Sequence, residues 1–152
     1  MRSVGSWLAE YDESHAHPTN KVLHWVCVPA IVLAVLGLLA SIPVPGASTW
    51  VNLASVCAVL VLAYYLLLSP PLAAGMLLVF LLLGLLVHAL ASLRWPLWAS
   101  CVVLFVVAWI GQFVGHAIEG KRPSFFRDLQ FLLIGPLWLL ADLYRRLGLV
   151  RL

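Results

Sequence analysis

Charge is what this sequence has least of. Only 9 Lys and Arg and 6 Asp and Glu occur among 152 residues, so charged side chains make up 10% of the chain, against about a quarter in soluble domains. With 64% hydrophobic residues and a mean hydropathy of +1.06, the composition excludes a water-soluble globule and indicates an integral membrane protein. The net charge of +3 sits at the two ends of the chain, not in a stripe able to follow a phosphate backbone. Nucleic acid is therefore not expected as a partner. Cysteine is scarce as well: Cys27, Cys57 and Cys101 are odd in number and each lies in an apolar run, which points to small core residues and not to a disulfide framework. The N-terminal stretch carries Glu10, Asp12 and Glu13 and no apolar segment preceded by positive charge, so it does not read as a secretory leader and is expected to stay on the side of synthesis. Repeats, linkers and low-complexity tracts are not evident, and residues 1–152 read as one domain.

What the chain has in abundance is apolar runs. Val22–Ala40, Trp50–Leu68, Leu72–Leu93 and Trp95–Ile118 would each reach roughly 28–36 Å as helices, enough to cross a hydrocarbon core of about 30 Å. They predict an all-α bundle of four membrane-spanning helices. Proline-rich or polar breaks separate them, at Pro43 and Pro45, at Pro70 and Pro71, and at Arg94 with Pro96. Pro29 inside the first run should kink that helix and free a carbonyl near Trp25. Before it, Trp7, Leu8 and Tyr11 recur at helical spacing over residues 3–14 and predict an amphipathic interfacial helix. Pro18 should stop that helix, with Thr19 or Asn20 capping the next. After the fourth run, residues 125–146 read as a second interfacial or re-entrant helix, too short to cross and interrupted by Gly135-Pro136.

Arg2 and Lys21 precede the first run, while Lys121, Arg122, Arg127 and Arg145, Arg146 and Arg151 follow the fourth. Both termini are thereby predicted to be cytoplasmic, in a bacterial inner membrane or an endoplasmic reticulum. This topology sorts the five histidines. His15, His17, His24 and His116 fall at one end of the bundle and can meet, whereas His88 falls at the other.

Ionisable groups at membrane depth point to function, and three features point to a metal. Tyr11 and His15, Asn20 and His24, and Gln112 and His116 are each four residues apart, giving every histidine a polar neighbour on its own helical face; a ligating imidazole usually needs such a partner to fix its tautomer. Glu119 lies on the same face three residues after His116. Gly111 and Gly115 form a Gly-x-x-x-Gly pair that lets another helix approach at the same place. Imidazoles suit iron, zinc or copper, and with few carboxylates at hand a single ion is favoured over a di-iron site. His17, beside Pro18, reads as a solvated turn residue. Lys121, Arg122 and Arg127 serve as topology signals or as anchors for a substrate carboxylate.

Taken together, Tyr11, His15, Asn20, His24 and Pro29, then Gln112-Phe113-Val114-Gly115-His116 with Glu119, Pro123 and Gly135-Pro136, resemble over nearly the whole chain the small membrane 2-hydroxy fatty acid dioxygenases, iron-dependent enzymes of fatty-acid α-oxidation. The resemblance implies that His15, His24 and His116 hold Fe(II), and that a 2-hydroxy fatty acid delivered from the bilayer is shortened by one carbon with O2. Cys27 stands where that family often has glycine. Ligand counting places Glu119 outside the metal's ligands, as orienter or proton acceptor, beside Asn20, Tyr11 and Gln112; Lys121 or Arg122 would take the carboxylate, and the acyl chain would lie between the spans or along residues 125–140. Two other readings stand beside this one: a b-type haem protein with His24 and His116 as axial ligands, and a non-catalytic transporter or assembly subunit.

Overall fold

The computed structural model describes residues 2–46, 48, 50–123 and 130–149. The described residues contain helices and no strand: α1 (Val4–Asp12), α2 (Pro18–Ala40), α3 (Leu53–Leu68), α4 (Pro70–Ala91), α5 (Leu97–Glu119) and α6 (Phe131–Leu147). Ser3 caps α1, which buries Trp7, Leu8 and Tyr11 as its periodicity predicts. Neither Thr19 nor Asn20 caps α2. Pro18 is its first residue and His17 the cap, its side chain accepting the Thr19 N–H. Proline suits that position because its missing N–H would have had no helical partner there. The helix then runs on through Pro29.

Among the described residues, three helices, α2, α4 and α5, are long and apolar enough to cross a membrane. The second expected span is shorter than its apolar run. Asn52 accepts the N–H groups of Ala54 and Ser55 while Ser55 Oγ takes the Asn52 N–H, and this reciprocal cap fixes the start at Leu53. The 16 residues of α3 reach about 24 Å. Gly135-Pro136 does not interrupt α6, which is continuous through both residues. Its flank at 124–129, with Phe125 and Arg127, and Arg151 in the tail lie outside the described residues.

The closest helix pair is α2 with α5. Asn20, Cys27 and Ala34 on α2 and Cys101, Ala108 and Gly115 on α5 are all buried, and each set repeats every seven residues, the period that keeps two helices in register as they wind. The pair is antiparallel: Asn20 meets Gly115, Cys27 meets Gly111, and Gly37 meets Cys101. Small residues on both sides permit this approach. Cys27 is thus accommodated opposite a glycine, and the sulfur fills the space that a Cβ at Gly111 would need. At Gly115 an added Cβ would collide with Asn20 Oδ1. We expect Gly115→Ala to destabilise the protein by about 1–3 kcal/mol, the usual range for overpacking, read as a lower thermal midpoint in detergent together with weaker metal retention.

The α3–α4 hairpin packs against α2, and α6 fills the remaining angle between α1, α2 and α4. Its buried face, Ile134, Leu137, Trp138 and Ala141, joins Trp7, Tyr11, Tyr65 and Met76 in the larger of two apolar clusters. The Tyr65 hydroxyl donates to the Leu133 carbonyl at 2.6 Å, tying α3 to α6. On the outside, Val103, Val107 and Ile110 of α5 and Leu78 and Leu82 of α4 are each more than half exposed, an apolar surface suited to lipid and not to water.

Candidate metal centre

His15 lies in the short link after α1, His24 two turns into α2 and His116 in the last turn of α5, and the antiparallel pairing brings all three to one end of the bundle. They are almost fully enclosed, at 0%, 1% and 5% exposure. One ligand atom from each lies within 4.8 Å of the others. His17 and His88 are not part of this group. His17 is exposed, and His88 stacks on Trp50, with ring centroids 4.9 Å apart, at the far end.

Hydrogen bonds fix the tautomers of two rings. His15 Nδ1 donates to the Tyr11 carbonyl at 2.6 Å, and His24 Nδ1 donates to the Asn20 carbonyl at 2.9 Å. A carbonyl can only accept, so both protons sit on Nδ1 and both Nε2 atoms present bare lone pairs. Those two Nε2 atoms face each other at 2.9 Å. A shared proton would relieve the repulsion if one ring were charged, but burial and then the neighbouring His24 hold the His15 pKa down at about 3, leaving that ring neutral at pH 7. A metal cation bound by both nitrogens could satisfy the pair. Two neighbouring ligands on an octahedral ion with bonds of about 2.1 Å stand about 3 Å apart, and His116, whose Nδ1 is buried without a hydrogen-bond partner among the described residues, brings a third imidazole to a group that could hold iron, zinc or copper. A porphyrin does not fit. The His24 and His116 ring centroids are 5.0 Å apart and His15 packs edge-on against both, leaving no slot for a macrocycle.

The four-residue spacings therefore work differently from the sequence expectation. It is the backbone carbonyls of Tyr11 and Asn20, not their side chains, that orient His15 and His24. The Tyr11 ring instead stacks on His15, centroids 4.0 Å apart and nearly parallel, and burial raises its phenol pKa above the ordinary range, so the hydroxyl stays protonated. Gln112 is buried beside His24, and its Nε2 meets no acceptor among the described residues.

Glu119 closes the site from below. Its carboxylate accepts the N–H of Ala16 at 3.0 Å, the N–H of His17 at 2.8 Å and the Asn20 amide Nδ2–H at 3.1 Å. The Asn20 amide also donates to the Ser14 carbonyl at 3.3 Å. The link carrying His15 is thereby bound to the end of α5 that carries His116. Lys121 Nζ adds a bond to the Glu13 carbonyl, so it supports the same link, while Arg122 is exposed.

Sequence reasoning missed Trp138 and Ser14. The Trp138 ring lies 5.3 Å from His15 and 5.2 Å from Tyr11, forming a wall of the site, and its Nε1–H donates to Asp12 Oδ1 at 2.7 Å. Its place in an amphipathic helix was the available signal, but the partner lies 126 residues away.

The chain matches the family model described as Mpo1-like, 2-hydroxy-palmitic acid dioxygenase, over residues 1–147. It is 31% identical over 152 residues to the 2-hydroxy-palmitic acid dioxygenase MPO1 of Saccharomyces cerevisiae, an alignment that covers 97% of this chain and 83% of the yeast protein. No solved structure matches it.

Proposed function

The chain belongs to the Mpo1-like 2-hydroxy-palmitic acid dioxygenase family, and on that premise we propose that it is an integral membrane, non-haem Fe(II) dioxygenase that shortens 2-hydroxy fatty acids by one carbon with O2. The observation that carries the metal part of this reading is the pair of unprotonated Nε2 atoms held face to face at 2.9 Å. Iron, if bound by His15, His24 and His116, would let O2 react with a closed-shell acid through one-electron steps, the acid itself being what is oxidised.

The other residues have tasks set by their contacts. Tyr11 and Trp138 pack against His15 and keep water from the imidazoles. Asn20 and Glu119 hold the ligand-bearing link in place. Both Glu119 oxygens already accept N–H bonds, which favours an orienting role over ligation. Gln112 offers a buried donor at the site's edge. Lys121 and Arg122 supply positive charge that draws a carboxylate towards the entrance. Lys21, Lys121, Arg122, Arg145 and Arg146 all belong to the end of the bundle that holds the histidines, and Arg94 belongs to the other, a distribution that by the positive-inside bias favours a site at the cytoplasmic surface with both termini on that side.

Metal analysis of the purified protein, paired with O2 uptake, tests the proposal. About one iron per chain and O2 consumption that depends on 2-hydroxypalmitate but not on palmitate are expected. Stoichiometric zinc, or no metal after anaerobic Fe(II) loading, would overturn it.

A further inference from the structure

Several clefts open among the described residues. One, about 340 Å³, lies between α2, α3 and α4 at the end marked by His88 and Trp50, away from the histidine cluster. A second, about 130 Å³, runs between α2, α4 and α6 past Trp25 and Met76 and has almost no polar wall. The third, about 60 Å³, lies between α2, α5 and α6. It is the smallest, but its inner wall is made by Tyr11 and Gln112, the residues that border His15 and His24.

Its outer wall is apolar: Ile31 from α2, Trp109 from α5, and Leu132 and Pro136 from α6. Leu132 is 47% exposed, and Val106 and Ile110 beside Trp109 on α5 are exposed as well. A small cleft running from an apolar surface to a buried metal-ligand cluster suits an amphiphile whose head enters first and whose tail stays in the bilayer. Gln112 gives the independent sign of a ligand. The residue is only 6% exposed and its side chain borders His24, yet its amide Nε2 has no acceptor among the described residues, and an unsatisfied buried donor is unfavourable. An acid or hydroxyl oxygen arriving through the cleft would satisfy it.

We propose that the cleft between α2, α5 and α6 is the lateral entry path of the fatty acid, with the carboxyl-proximal carbons between Ile31, Trp109 and Leu132 and the 2-hydroxy acid head accepting from Gln112 Nε2. This rests on the dioxygenase reading for the identity of the amphiphile. Because the cleft holds only the first carbons, it discriminates weakly among long chains and responds to bulk at its own walls.

The test uses metal-free protein in lipid nanodiscs and a 2-hydroxypalmitate analogue carrying a diazirine a few carbons from the carboxyl. Photolabelling is expected on Ile31, Trp109 or Leu132 peptides and should be displaced by 2-hydroxypalmitate. Ile31→Trp and Leu132→Trp should each lower labelling about tenfold, whereas Val79→Trp, in the neighbouring cleft, should not. Gln112→Leu should weaken competition by 2-hydroxypalmitate about tenfold, the worth of one hydrogen bond to a charged group. Label on α4 or in the far cavity, no displaceable label, or indifference to both cleft-filling variants would overturn the entry path. O2 uptake by the iron-loaded wild type is measured in parallel. Uptake that persists while label falls elsewhere rejects the path alone, and label in the cleft without uptake rejects the reaction alone.

Discussion

His24→Ala should yield a folded protein that neither retains iron nor turns over substrate. His24 supplies one of three nitrogens in a cluster with no spare histidine near it, since His17 is turned outward as a helix cap and His88 lies at the far end. Loss of a ligand should exceed the roughly 10–100-fold fall in metal affinity that removal of an orienting partner produces. The sign of the stability change separates this from simple damage. In the metal-free state the facing Nε2 atoms of His15 and His24 oppose each other at 2.9 Å, so truncating one relieves a repulsion while opening a cavity. Adding Fe(II) at about 100 times its Kd should raise the wild type by about 2.7 kcal/mol and leave His24→Ala unmoved. A metal-dependent shift of equal size in both proteins would refute the assignment of His24 as a ligand.

Glu119→Ala should cost about 10–100-fold in iron affinity although it leaves all three histidines in place. The carboxylate collects three donors, two of them backbone N–H groups immediately after His15. Without it the link bearing His15 loses its anchor to α5, and the ligand must be ordered at the expense of binding free energy. Glu119→Gln retains one accepting oxygen and should fall between the two. Saturating iron distinguishes the possible roles. If Glu119 positions the link, turnover recovers in Glu119→Ala once the site is filled; if it accepts a proton in the reaction, kcat stays low with iron fully bound.

Most of the candidate site was legible because its parts are local. Histidines at the mouths of two apolar runs could meet once charge placement had set the ends of those runs, and Gly111 with Gly115 marked where α5 lets α2 approach. The four-residue spacings were informative for a different reason from the one they suggested: the accepting atoms at Tyr11 and Asn20 are carbonyls, which any residue there would offer. Two fold features were less legible. The Asn52 and Ser55 cap sits inside an apolar run and shortens α3 without changing its hydropathy. Gly135-Pro136 reads as a break, yet packing holds α6 through it, and Gly135 leaves room for the Tyr11 hydroxyl, which would lie 3.0 Å from a Cβ there. The Trp138–Asp12 bond joins two segments whose proximity depends on the whole bundle.

The pairing of α2 with α5 also sets an order of events during synthesis. His24 and His116 are 116 − 24 = 92 residues apart, and two further apolar helices, α3 and α4, are made between them. Closing so long a loop is a late step, with its entropy recovered only when both partners are present. A nascent chain stopped anywhere before α5 therefore presents at most two of the three clustered histidines, and a metal ion would find its third ligand only when the lipid-facing wall that encloses the site has been inserted.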